Sequence, residues 1–180
     1  MTKKMKNAPV YFTIIQVKFN TIMSLDTYAA AIQENFRKTG YPDVQQTVQV
    51  VLKPIGENGQ QFHQAPLTSY SFSNMEKTSG FILSPDALSF QTTEYDVFNT
   101  FLKAFLNGLD IIHNVVELTY SERIGLRYLD AVCPNVEEKL SDYLQEAVLG
   151  LTDKLQGELV HSFSETVTKM ASTTVISRAI

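Results

Sequence analysis

"YSERIGLRYLDAV" (Tyr120–Val132) alternates in steps of two: Ile124, Leu126 and Tyr128 fall on one side, Arg123, Gly125 and Arg127 on the other. Period-two alternation of apolar and polar residues is the signature of a strand with one face toward a core. The stretch follows a long amphipathic segment, so a strand here restarts the chain's order of elements. That restart decides the fold.

Upstream, "VYFTIIQVKF" (Val10–Phe19) reads as a first strand, rich in β-branched and aromatic residues. Ser24 is placed to cap a helix, with Asp26 at its positive end and Met23 positioned to staple onto Tyr28. Leu25, Tyr28, Ala29, Ile32 and Phe36 then recur at helical spacing, and Gly40 and Pro42 supply the stop. "QTVQVVLKPI", "SYSFSN", "GFIL" and "LSFQTT" read as four strands, the first ended by Pro54 and a turn around Gly56 and Gly59, the last two joined by a turn at "SPDA". Between about Tyr95 and Val116, Phe98, Phe101, Leu102, Phe105, Leu109, Ile112 and Val116 mark a second amphipathic helix.

After the opening stretch, "NVEEKLSDYLQEAVLGL" carries Leu140, Tyr143, Leu144, Ala147 and Val148 at helical spacing, and "ELVHSFSETVTKM" and "STTVISRAI" read as two more strands. The chain therefore reads β-α-β-β-β-β-α over residues 10–116 and β-α-β-β over 117–180, a structural duplication with a partial second copy, preceded by a flexible tail over residues 1–9. Short connections and segregated helices predict an α+β fold, an antiparallel curved sheet with helices on one face. TATA-binding-protein-like and helix-grip folds are analogues of that architecture, and architecture alone does not assign function.

At 180 residues and 44% hydrophobic, the chain is long enough to build its core without disulfides or metals. Cys133 is the single cysteine, which excludes an internal disulfide and a thiolate zinc site and fits a reducing cytoplasm. Fifteen basic against nineteen acidic residues give a net charge of −4, which disfavours nucleic acid as a partner; the lysines at positions 3, 4 and 6 read as a solvated tail. Gln16 and Lys18 interrupt the N-terminal apolar stretch, so it is read as a strand rather than a signal peptide, and no run approaches the length that spans a bilayer. A cytoplasmic protein with no membrane association is expected.

"NAPVYFTIIQVKFNTIMSLDTYAAAIQENFRKTGYP", "LSPDALSFQTTEYDVFNTFLKAF" and above all "IGLRYLDAV" resemble a sporadically distributed family of uncharacterised prokaryotic proteins. The resemblance implies a bacterial or other prokaryotic cytoplasmic protein, and it carries no established activity, cofactor or catalytic residue. Members usually continue beyond the position matched by Ile180, which implies that the second copy is incomplete here.

No constellation commits the chain to a reaction. His63, His113 and His161 share no ligand spacing: His113 reads as a helix C-terminal partner and His63 as a loop residue. Cys133 beside Pro134 reads as a buried or half-buried structural thiol, and Glu137, Glu138, Asp142 and Glu146 as a solvated helix face. No nucleophile elbow, P-loop or dinucleotide fingerprint is present. No catalytic residue, cofactor or metal is expected.

Arg123, Gly125 and Arg127 remain as the candidate binding residues. Glycine in a strand marks a bulge or a place of close approach, and two guanidiniums flanking such a gap suit a carboxylate or phosphate. Their bland alternative is a surface pair bridged to Glu117, Glu122 or acids of a neighbouring strand. Ile124, Leu126 and Tyr128 are expected to be buried against Phe101, Phe105 or Leu109, so that Leu126→Ala would cost about 2 to 5 kcal/mol. Two functions compete. One is a non-enzymatic protein-interaction or self-associating module, such as a homodimer. The other is a small-anion or metabolite-binding protein, or an enzyme on such a ligand, anchored by Arg123 and Arg127.

Overall fold

The alternating apolar residues of β1 (Val10–Phe19) bury Ile15, Val17 and Phe19 on one side of a six-stranded antiparallel sheet. A computed structural model describes residues 8–55, 61–150, 154–155 and 160–180, leaving the lysine tail and the turn around Gly56 and Gly59 outside. It also describes no side chains at 52–55 or 61–63. The other strands are β2 (Asp43–Ile55), β3 (Gln61–Ser73), β4 (Ser79–Ser84), β5 (Ala87–Thr92) and β6 (Ser121–Asp130), in the order β2-β3-β4-β5-β1-β6. Two helices, α1 (Leu25–Lys38) and α2 (Phe98–Val116), cover one face. The fold is α+β, an open curved sheet with its helices on one side.

Register shows why only one face is dry. Residues directly opposite in an antiparallel pair share a face. Phe72 lies opposite Phe81, Phe81 opposite Phe90, and Leu83 opposite Leu88, so one row of aromatic and aliphatic side chains crosses β3, β4 and β5. Ile32 and Phe36 of α1 and Phe101, Phe105 and Ile112 of α2 complete the core. Phe36 stacks on Phe72 at 4.5 Å between ring centroids and tilts onto Phe81 at 4.8 Å. The alternate row, which includes Gln45, Thr47, Ser69, Ser71, Ile82, Ser89 and Gln16, forms the helix-free face.

The N-terminal end of α1 is set by a different device from the one the sequence suggested, whereas its stop falls at Gly40 as expected. Ser24 occupies the N-cap of α1 without a side-chain cap hydrogen bond, and Met23 is 96% exposed, so no staple forms. Instead Asp26 accepts a hydrogen bond from the Tyr70 hydroxyl at 2.8 Å, which ties the first turn of α1 to β3. At the other end Gly40 adopts φ +98, and the Tyr41 amide donates to the Phe36 carbonyl, the Schellman arrangement that glycine permits. Tyr70→Phe is expected to cost about 1 to 2 kcal/mol, as loss of a hydrogen bond to a charged acceptor. Desolvation, and then Asp26, push the Tyr70 hydroxyl up to about 12. Its neutral form is thus favoured by folding: the stabilisation is complete below the ordinary tyrosine range and is lost as pH rises through about 12. Denaturant titrations of wild type and Tyr70→Phe near neutrality and at alkaline pH check both.

The chain divides into two compact units, Met1–Asp130 and Ala131–Ile180. The boundary falls after Asp130 rather than at residue 117, because β6 is hydrogen-bonded to β1 in the first unit's sheet. In the second unit a 3-10 turn (Leu140–Asp142) and a single helical turn, α3 (Glu146–Leu149), precede a hairpin of β7 (Ser164–Met170) and β8 (Thr173–Ala179). The order strand, helix, strand, strand recurs, but the expected long helix is broken. Glu138 accepts hydrogen bonds from the Asn135 amide and the Tyr143 hydroxyl, and Asp142 from the Lys139 amide, local bonds that compete with helix formation. None of the unit's described residues is buried, so an amphipathic helix there gains nothing to offset its nucleation cost. β3 also begins earlier than expected, which places His63 in a strand opposite Lys53 rather than in a loop.

Candidate functional site

β6 pairs with β1 in unbroken register from Arg123 opposite Lys18 to Tyr128 opposite Thr13. Ile124 lies opposite Val17 and Leu126 opposite Ile15, which puts Ile124, Leu126 and Tyr128 on the helix-bearing side. Arg123, Gly125 and Arg127 lie opposite Lys18, Gln16 and Ile14, on the open face. Both faces are as the alternation predicts. Burial is not: Ile124 is 64% exposed, Leu126 43% and Tyr128 40%. β6 ends the sheet, whereas the helices pack over inner strands, α2 against β5 and α1 against β3. The apolar row therefore lies on the correct side but beyond the helical cover.

Only Tyr128 has an anchor. Its ring meets Tyr95 edge-on, 5.2 Å between centroids and 83° between planes, and the two hydroxyls are 3.3 Å apart. Partial desolvation, and then the Tyr95 hydroxyl, push the Tyr128 hydroxyl up to about 12. With Leu126 half-exposed, Leu126→Ala is expected to cost about 1 kcal/mol rather than the larger loss of a core position, and Arg127→Ala about 0.5 kcal/mol or less. Urea titration of the two variants reads both; a Leu126→Ala loss above about 3 kcal/mol would mean the row is covered.

Among the described residues neither Arg123 nor Arg127 makes an ion pair, contrary to the expected bridge; the neighbouring Lys18 is taken by Asp86 at 2.9 Å. Glu122 sits where the register against β1 shifts, between Arg123 opposite Lys18 and Ser121 opposite Phe19, and makes no ion pair among the described residues. Gly125 is neither a bulge nor a tight approach: a Cβ there would meet nothing within 4 Å. It opens a gap between the two guanidiniums. Four steps along the strand set their Cα atoms about 13 Å apart, a span that also suits an extended ligand carrying two acidic groups.

Other candidates supply no chemistry. Cys133 is exposed, not a buried thiol, and His113 and His161 are exposed. No group of three or more potential metal ligands occurs among the described residues. Hydrogen bonds from Tyr143 first, then from Asn135, hold the Glu138 carboxyl below its usual range, and Glu146 pairs with Lys154 at 2.9 Å. A hollow of about 380 Å³ lies on the open face over β2 to β5 and reaches Phe12 of β1, lined by Thr47, Gln49, Ser69, Ser71 and Gln91 among others. Sequence reasoning missed it, although the alternating small polar residues of β2 and β3 mark it. Its lining holds no acid, histidine or cysteine, and its one cation, Lys77, is paired with Asp43. Arg123 and Arg127 are not among its lining residues.

No helix among the described residues is long and apolar enough to cross a membrane. No protein-family model and no curated protein matches the chain.

Proposed function

We propose that the chain is a non-enzymatic interaction module of a prokaryotic cytoplasmic protein, and that β6 is its working edge. One observation carries the reading: a ten-residue strand ends the sheet with Ile124, Leu126 and Tyr128 exposed along one side and, along the other, two guanidiniums that make no ion pair among the described residues. Edge strands are usually blunted by proline, lysine, bulges or brevity. β6 carries charge on one side only, at Arg123 and Arg127, and its register shift against β1 lies at Glu122, so the stretch from Arg123 to Tyr128 is regular, free of proline and lysine, and apolar along its other side. At the opposite edge, β2 carries Lys53 and Pro54, and proline cannot donate a ladder hydrogen bond.

The alternative is a small-anion-binding protein anchored by Arg123 and Arg127. The guanidiniums, without an ion pair among the described residues, favour it, while the position of the hollow away from them counts against it.

Hydrogen exchange of the β6 amides, followed with rising protein concentration and with added extended peptides, tests the module reading. Protection of the β6 amides that point away from β1, appearing with concentration or peptide, supports it; if those outward amides exchange freely under every condition, in a chain that sediments as a monomer, the reading fails. A metabolite that raises the melting temperature of wild type but not of Arg127→Ala would favour the anion-binding alternative; at a hundred times its Kd such a ligand adds about 2.7 kcal/mol.

A further inference from the structure

We infer that the occupant of the β6 edge is an extended segment of a partner protein in which acidic and apolar residues alternate, added to the sheet as a seventh strand. The inference rests on the module reading above and specifies its partner. Main-chain hydrogen bonding along a free edge is indifferent to sequence, so the side-chain rows of β6 set the preference. On the helix-bearing side Ile124 and Leu126 offer apolar contacts to an added strand. On the open side they alternate with Arg123, Gly125 and Arg127, and the added strand there meets a cation, a gap and a cation.

Charge selects against a second copy of the chain. A two-fold axis through Gly125 sets Arg123 of one copy opposite Arg127 of the other, and an axis through Arg123 or Arg127 sets like residues face to face. Axes through Ile124 or Leu126 avoid direct opposition but leave each arginine diagonal to an arginine of the other copy, within reach of such long side chains. Every register gathers four guanidiniums on one face of two adjacent strands, with no carboxylate of β6 on that face between Arg123 and Arg127 to separate them. Like charges directly opposite destabilise a strand pair, and opposite charges stabilise it.

A partner strand resolves this with five residues. Acids stand opposite Arg123 and Arg127, apolar residues opposite Ile124 and Leu126, and a large side chain opposite Gly125, where a Cβ would meet nothing within 4 Å. The recognised pattern is acid, apolar, bulky, apolar, acid.

The probes are labelled peptides with the cores Glu-Val-Tyr-Val-Glu, Lys-Val-Tyr-Val-Lys and Glu-Thr-Tyr-Thr-Glu, titrated against the full chain by fluorescence anisotropy, with β6 amide exchange as the second readout. Since Arg123, Leu126 and Arg127 are exposed, their variants are expected to stay folded, which circular dichroism checks. The glutamate–valine peptide should bind and protect β6, more weakly at high salt. The double variant Arg123→Glu/Arg127→Glu should weaken it at least about tenfold and transfer the preference to the lysine peptide. Gly125→Val should weaken the tyrosine-centred peptide and spare one with glycine at that position. Binding that ignores these charge reversals overturns the inference. So does β6 protection by a single-stranded oligonucleotide and by no peptide. If no peptide binds but the chain dimerises in a way that Leu126→Lys abolishes, the acidic-segment inference fails while the interaction edge stands. If neither concentration nor peptide protects β6, both fail.

Discussion

Phe81→Ala is expected to lower the unfolding free energy by about 3 to 5 kcal/mol, the range for a fully buried phenylalanine. Phe81 is 1% exposed at the middle of β4, and its ring is enclosed from several directions. Phe36 lies at 4.8 Å from α1, Tyr41 at 4.9 Å edge-on from the loop after it, and Phe90 at 4.6 Å from β5. α2 closes the remaining side through Gly108. Removing the ring deletes contacts to both helices and two strands at once, and neighbours held in fixed rotamers cannot collapse into the void. Urea unfolding of Phe81→Ala beside Phe98→Ala reads the effect. Phe98, the first residue of α2, is 43% exposed, so its truncation should cost about 1 kcal/mol. Equal losses at the two positions would mean that the aromatic cluster is not the centre of the core.

How far the fold could be read in advance depended on whether each feature is local. Apolar stripes at Ile32 and Phe36, and at Phe101, Phe105 and Ile112, are properties of one helix, and they sit against the sheet as their spacing predicts. For β6, alternation identified which residues share a face, but no local pattern reports whether anything lies over that face. The order in which strands assemble decides this, and β6 comes last in the sheet. The same cause moves the compact boundary to Asp130. The mistaken long helix had a sequence signal: Asn135, Glu138, Lys139 and Asp142 sit three residues apart in pairs, a spacing for side-chain bonds to the backbone that end or replace a helix. Exposure of Cys133 had none, since "DAVCP" is apolar enough to pass for a strand end. At the candidate site, Arg123, Gly125 and Arg127 were legible as a group, but their freedom from ion pairs depends on the neighbours that the fold supplies.

Gly108 shows a constraint that sequence pattern understates, and Gly108→Val is expected to cost about 3 kcal/mol through overpacking. Glycine inside a helix is ordinarily a weakness of roughly 1 kcal/mol against alanine, so replacing it would normally help. Here α2 crosses the sheet directly over Phe81: a Cβ on Gly108 would overlap the ring edge, with Cζ 2.5 Å away and Cδ1 2.8 Å away. Since Phe36 and Phe90 flank that ring, it has no free direction in which to yield, and α2 must lift from the sheet. Lifting it loosens the packing of Phe101, Phe105 and Ile112, which reach the core from the same helix. A double-mutant cycle with Phe81→Leu separates overpacking from any intrinsic effect on the helix, because the smaller side chain vacates the space a Cβ needs. The double variant should then be more stable than the sum of the single losses by at least about 1 kcal/mol, within the range found for residues in contact. Strict additivity in urea titrations would mean that Gly108 and Phe81 do not touch, and that α2 lies elsewhere on the sheet.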